Sequence, residues 1–154
     1  SEVMNWRRVE TFEYGTFPDL KVFFLSISCL HCQIPPCVSA CPSSAIFKRK
    51  EDGIVLVDSE KCQGKTNCGL CEDACPYQIP HFNPDRDFKM EKCNLCFKRL
   101  DQGKKPICVD ACPMNALEMA SLDELLRKYG QGKEAIGFNY FEEAKPSLIL
   151  KRKL

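Results

Sequence analysis

Cys29-Leu30-His31-Cys32-Gln33-Ile34-Pro35-Pro36-Cys37-Val38-Ser39-Ala40-Cys41-Pro42 is the stretch on which the fold turns. Its four thiols are separated by two, four and three residues, and a proline follows the last. The same grammar recurs twice. Cys62, Cys68, Cys71 and Cys75 are spaced by five, two and three residues ahead of Pro76. Cys93, Cys96, Cys108 and Cys112 are spaced by two, eleven and three ahead of Pro113. A fourfold cysteine set recurring about every 30 to 35 residues is an internal repeat, and it organises the chain before any other signal.

Outward from those runs, composition narrows the choices. The 154 residues include 12 Cys but only 2 His, and 22 basic residues nearly balance 21 acidic ones, leaving a net charge of +1. A nucleic-acid binder needs a basic excess, so no nucleic-acid partner is expected. A hydrophobic fraction of 44% argues against disorder. The longest apolar run, Val22 to Leu30, is broken by Ser26 and Ser28 and is far short of the roughly 20 residues that span a bilayer. No direct membrane span is therefore expected. Arg7-Arg8 is followed by polar and aromatic residues rather than an apolar export segment, so the pair reads as structural. No Ser/His/Asp order, phosphate-cradling glycine loop or suitable carboxylate pair is present, and no catalytic site is expected in this chain.

Three thiolates from one tight loop can wrap one side of an iron–sulfur cube, and a fourth must arrive from elsewhere. In bacterial two-cluster ferredoxins the cysteine before proline ligates the other cluster. Proline fixes φ and turns the chain away after the ligand. Disulfides and structural zinc compete for the same residues. The wide gap between Cys96 and Cys108 makes zinc a stronger rival in the third group. A c-type haem needs Cys-x-x-Cys-His, which is absent, and a thioredoxin-type pair would leave ten cysteines without a role. Iron–sulfur ligation uses all twelve. His31, between Cys29 and Cys32, reads as a loop residue beside the cluster, and His81 as a satisfied loop residue.

The local signals imply an α+β chain. Val22 to Ser28 reads as a buried strand and Pro36 to Cys41 as a short helix. Ala45–Lys50 and Ile54–Val57 flank Glu51-Asp52-Gly53, a hairpin turn. Residues 83–92 read as a polar connector. Ser121 and Glu124 form a capping box for a helix from Leu122 to Tyr129, stopped by Gly130. Ser147 to Lys153 reads as a final strand or an arm lying on a partner.

These segments resemble a known family, the iron–sulfur electron-transfer subunits of dimethyl sulfoxide reductase-type molybdopterin oxidoreductases. The resemblance rests on Ser26 to Cys32, Pro36 to Ser43, Ala74-Cys75-Pro76-Tyr77 and Lys104 to Pro113. It implies a two-cluster ferredoxin-like core with a third cysteine unit and a C-terminal helix. The implied organisation is an N-terminal docking segment at 1–21, a two-cluster unit at 22–82 and a third-cluster unit at 83–154. It implies three [4Fe-4S] clusters: Cys29, Cys32, Cys37 and Cys75 on the first, and Cys62, Cys68, Cys71 and Cys41 on the second. Cys93, Cys96 and Cys108 would hold the third, closed locally by Cys112, with a three-iron cluster or zinc as alternatives. The family usually carries one further cysteine run ahead of the segment matching Asn5 to Val9, and a shorter gap than that between Cys62 and Cys68. The implied role is that of a prokaryotic subunit of anaerobic respiration, cytoplasmic or periplasmic. It would relay single electrons between a molybdenum or tungsten pterin catalytic subunit and a membrane quinone module or other carrier. A free-standing polyferredoxin and a zinc-binding interaction module are the alternatives. Lys61, Lys92, Lys98, Arg99, Lys104 and Lys105 stand beside cysteines as candidates for tuning potentials, Lys92 being assigned to the third cluster.

Overall fold

The computed structural model describes residues 5–151. Alternating side chains build the first element pair. Strand β1 (Arg7–Tyr14) runs antiparallel to β2 (Lys21–Ser28), in register from Arg7 opposite Ser28 to Tyr14 opposite Lys21. One face of this ribbon sends Leu25 and Ile27 into a core with Leu30, Tyr77, Ile79 and Phe138, and Phe12 packs beside them. The other face leaves Val9 and Phe24 exposed. The twin arginines are structural, as expected. Arg7 donates to Ser26 Oγ and Ser28 Oγ (3.0 and 2.7 Å), and Arg8 to the carbonyl of Tyr77 (3.3 Å).

Helix α1 (Pro36–Ser39) follows, with proline at its first position, where no N–H is needed. Strands β3 (Ile46–Lys48) and β4 (Val55–Val57) form the expected hairpin, closed over Gly53 at φ 73°. Helix α2 (Leu70–Ala74) lies against α1. Between them sits a second small core of Ile46, Val55, Cys71 and Met90.

The expected connector at 83–92 is instead a hairpin. Strands β5 (His81–Asn83) and β6 (Lys89–Glu91) pair across a 3-10 turn, Pro84–Arg86. Burial of Met90, with Phe82 packed against the same core, draws this polar stretch onto the molecule. Helices α3 (Phe97–Leu100) and α4 (Ile107–Asp110) carry the third cysteine group. Arg99 ties them together, donating to the Lys105 carbonyl (2.8 Å) and to Asp110 (2.7 Å). Helix α5 (Leu122–Tyr129) has the boundaries, capping box and terminal Gly130 expected from its sequence.

The expected terminal strand does not form over the described residues. Ser147–Leu150 lies back on the chain itself: Ser147 N donates to the Leu30 carbonyl (3.1 Å), Leu150 N donates to the Gly132 carbonyl (2.8 Å), and Leu148 and Leu150 pack on the first core. Residues 1–4 and 152–154, including the last positions of that expected arm, lie outside the described residues.

Candidate iron–sulfur centres

Each Cys-Pro step makes the same turn. A short helix, α1, α2 or α4, carries one cysteine and ends just before the next. The residue three beyond that second cysteine is left-handed: Ser44 (φ 51°), Gln78 (φ 51°) and Asn115 (φ 47°). Their N–H groups donate back to the carbonyls of Cys41, Cys75 and Cys112 (3.3, 3.1 and 3.1 Å). The cysteine repeat in the sequence is thus a repeat of backbone conformation. Helices of four or five residues cannot persist alone. Their cysteines therefore depend on packing for position.

That packing interleaves the first two runs. Cys29, Cys32 and Cys37 of the first line one cavity together with Cys75 of the second. Cys62, Cys68 and Cys71 of the second line another together with Cys41 of the first. Pro36, Val55, Tyr77 and Ile79 help to wall the first cavity; Ile46, Phe82 and Met90 help to wall the second. The third group lines neither cavity. Cys93 is half-buried beside Ser28, Arg7 and the first group's Cys29, Cys96 occupies the N-cap position of α3, and Cys108 lies on α4. None of the twelve cysteines is paired in a disulfide. Among the described residues no three His, Cys, Asp or Glu side chains gather closely enough to hold a single ion.

The electrostatics follow this grouping. Burial, then repulsion from Cys29 and Cys75, pushes the Cys32 thiol up to about 11. Burial and Cys29 push Cys37 up to about 12, with Lys92 opposing. Burial, then Cys62, Cys68 and Cys41, push Cys71 up to about 11. Thiols so crowded and desolvated are poor isolated anions. A polycation that takes all four at once removes the penalty, which is what the donor set of an iron–sulfur cube requires. The two cavities fit such a group in ligand type, number and enclosure.

The proline-adjacent Cys41 and Cys112 behave differently. Burial raises Cys41, but the Ile46 N–H, the Ser43 hydroxyl and neighbouring N–H groups outweigh it and hold the thiol below its usual value. At Cys112 the Ala116 N–H, 3.3 Å from Sγ, leads a similar set. Further donors reach sulfur elsewhere: Gly64 N and Met90 N to Cys62 (3.4 and 3.5 Å), and Leu95 N to Cys93 (3.4 Å). Such N–H groups tune cluster potentials.

Sequence adjacency is a poor guide to the basic residues. Lys61 pairs with Asp58 (3.2 Å), Lys104 donates to Gln102, and Arg99 serves the α3–α4 link. Lys92, assigned to the third group, lies on the wall of the first cavity while also donating to the Cys93 carbonyl. Lys48 went unnoticed in the sequence; its ammonium holds the cysteine loop through the carbonyls of Cys32 and Gln33 (3.1 and 2.8 Å). His31 is a buried loop residue, as read. Its Nδ1 accepts from the Val55 N–H (3.0 Å), and burial, then Lys92 and Lys48, push its pKa down to about 3. The ring is therefore neutral, with its proton on Nε2, which is buried without a partner.

A family described as the 4Fe-4S dicluster domain matches residues 20–122. The chain belongs to that family. Among curated proteins, this chain is 43% identical over 129 residues to a polypeptide of the anaerobic dimethyl sulfoxide reductase of Escherichia coli, covering 84% of the present sequence and 60% of the relative. The corresponding polypeptide of the Haemophilus influenzae reductase is 36% identical over 157 residues, covering 96% and 74%. The beta subunit of perchlorate reductase from Dechloromonas aromatica is 41% identical over 110 residues, covering 71% and 32%. The chain thus spans about 60% of the length of the first of these relatives. The resemblance carried by the cysteine motifs is borne out, and so is an iron–sulfur cofactor on a small α+β scaffold.

Proposed function

We propose that this chain is an electron-relay subunit, passing single electrons between a molybdenum or tungsten pterin catalytic subunit and a quinone module or other carrier. The observation that carries it is the interleaved pair of four-cysteine cavities. Each cluster, when bound, supplies a one-electron couple. The chain's own part is to hold, space and shield. Cys29, Cys32, Cys37 and Cys75 form one ligand set; Cys62, Cys68, Cys71 and Cys41 form the second. Cys93, Cys96, Cys108 and Cys112 form the third, which completes a row of three [4Fe-4S] centres. Tyr77 and Ile79 keep water from the first cavity, and Phe82 and Met90 from the second.

On this reading residues 22–82 are a two-cluster unit, 83–154 a third-cluster unit, and 1–21 a segment that docks on the catalytic subunit. The exposed ribbon face supports the docking role, with Phe24 70% and Val9 62% exposed, and Phe17 at the ribbon's tip 92% exposed. The names of the relatives, components of bacterial reductases, support a catalytic partner and a bacterial setting. No described helix is long and apolar enough to cross a membrane.

Anaerobic purification with iron and sulfide assays tests the reading. About twelve of each per chain are expected for three cubes of four irons, with a brown protein that copurifies with a pterin-containing subunit. A colourless, zinc-loaded chain would overturn it. A brown monomer that reduces many acceptors would instead make it a free carrier.

A further inference from the structure

Strand β4 exposes an edge that β3 does not satisfy. Arg49 N donates to the Ile54 carbonyl and Asp58 N to the Ala45 carbonyl, which makes Lys48 and Val55 a non-hydrogen-bonded pair. The N–H and carbonyl of Val55 therefore point away from the hairpin. The N–H is taken by His31 Nδ1 and the carbonyl by the Lys92 ammonium. Lys92 is only 4% exposed, and its remaining described bond is to the Cys93 carbonyl (3.2 Å). No carboxylate pairs with it among the described residues. Two neutral carbonyls are a weak reason to bury a cation, because buried charges normally sit against an opposite charge.

The wall Lys92 occupies supplies that charge. It lines the cavity of Cys29, Cys32, Cys37 and Cys75, and its charge opposes the upward push of burial and of Cys29 on the Cys37 thiol. Four thiolates outweigh the charge of a [4Fe-4S] cube, so the complete centre is an anion in its usual oxidation states. The lining of the second cavity includes no lysine or arginine; its neighbouring cations stand outside the wall, Lys89 on the Cys62 carbonyl and Lys65 over the Phe82 ring.

We infer that Lys92 is the fixed counter-cation of the first cysteine cavity, and that it sets the potential of the centre held there above that of the centre held by Cys41, Cys62, Cys68 and Cys71. This rests on the cluster reading of the two cavities. Taking up one electron makes an anionic centre more negative, and a buried ammonium beside it favours the reduced form. No proton need move. Lys92 acts on the centre without ligating it, so it is a positioning charge. Its bonds to Val55 and Cys93 also seat it between the first and third cysteine groups.

Potentiometric titration of the anaerobically purified protein, with mediator dyes and dithionite as the electron source and electron paramagnetic resonance as the readout, tests this. Cys37→Ser assigns the signal of the first centre. Lys92→Gln keeps donors for the Val55 and Cys93 carbonyls and removes the charge, whereas Lys92→Arg keeps the charge. The expected result is a lower midpoint for the first centre in Lys92→Gln, a near-normal one in Lys92→Arg, and an unmoved second centre in both. With iron and sulfide content intact, an unchanged first midpoint overturns the inference, and so does an equal shift of both. Loss of clusters from both variants also overturns it, by assigning Lys92 to folding. Absence of iron and sulfide from the unsubstituted protein fails the cluster reading itself, and the two failures are thereby distinct.

Discussion

At single positions the decisive constraint is the space around sulfur. Gly64 lies in the second cysteine loop at φ 78°, and a Cβ there would stand 2.8 Å from the Asp87 carbonyl oxygen and 3.3 Å from that of Phe88. Both contacts are backbone, so nothing flexible can yield. Its N–H also donates to Cys62 Sγ. Gly64→Ala should therefore push the loop off the 81–91 hairpin, and iron analysis should find one cube fewer per chain; unchanged iron would refute the assignment of this loop. His31 makes the complementary case. His31→Ala leaves the buried Val55 N–H without an acceptor, which costs about 1–3 kcal/mol for such a group. Thermal unfolding of the cluster-loaded protein measures it, with Asp123→Ala on the exposed face of α5 as a neutral control. The cysteines were legible one by one because their chemistry is unambiguous. Lys48 and Lys92 were not, since sequence shows which residue neighbours a thiol along the chain but not which way a four-carbon stem reaches.

For the elements, legibility depended on whether the turn chemistry was conventional. Helix α5 was readable to its ends because Ser121 and Glu124 cap its start and Gly130 closes its end with bonds made locally. Ser121→Ala removes the side-chain half of that box, leaving only the backbone N–H of residue 121 to meet Glu124, and should cost about 1 kcal/mol, seen as fraying of the α5 amides in hydrogen exchange. The β3–β4 hairpin announced itself through Asp52-Gly53. The β5–β6 hairpin did not. Its turn sets Asp87 and Phe88 left-handed (φ 50° and 52°), residues that give no glycine signal, and its strands are only three residues long. Strand β1 was also missed, because alternating Arg and Glu mask the apolar side that Phe12 presents. Between elements, Arg49 joins the β3–β4 hairpin to the end of α3 through Asp101 (2.9 Å), and it lies over the Phe97 ring. The side-chain bond from Arg49 holds the Asp101 carboxyl below its ordinary range. A carboxyl depressed in the folded state contributes stability above its unfolded pKa and loses it as pH falls through the folded value. Acid titration should therefore loosen this joint below about pH 4, and Asp101→Asn should abolish that part of the pH dependence. The effect is small because the pair is solvent-exposed.

Across the whole molecule, the threefold cysteine repeat made the plan readable, while the return of Ser147–Leu150 onto the first core was not, since nothing local distinguishes an arm that docks on its own chain from one that docks on a partner. The same view governs stability. The two apolar cores are small, and each is completed by cysteines: Cys29, Cys32 and Cys75 border the first, Cys71 belongs to the second, and Cys37, Cys41 and Cys62 border it. Among the described residues the strands pair only two by two, with no larger sheet to hold them, and an isolated two-stranded ribbon is marginal in water. The helices around the cysteines are one turn long. Four thiols held near one another against burial and mutual repulsion oppose folding unless an inorganic group takes their charge. Binding energy at such sites is folding energy. Oxidative removal of iron under chelator should therefore abolish the cooperative melt and expose the amides of residues 22–92 to rapid exchange, whereas α5, closed by its own caps, should change least. An iron-free protein that kept its melting temperature and its protected amides would mean that apolar packing alone carries the fold.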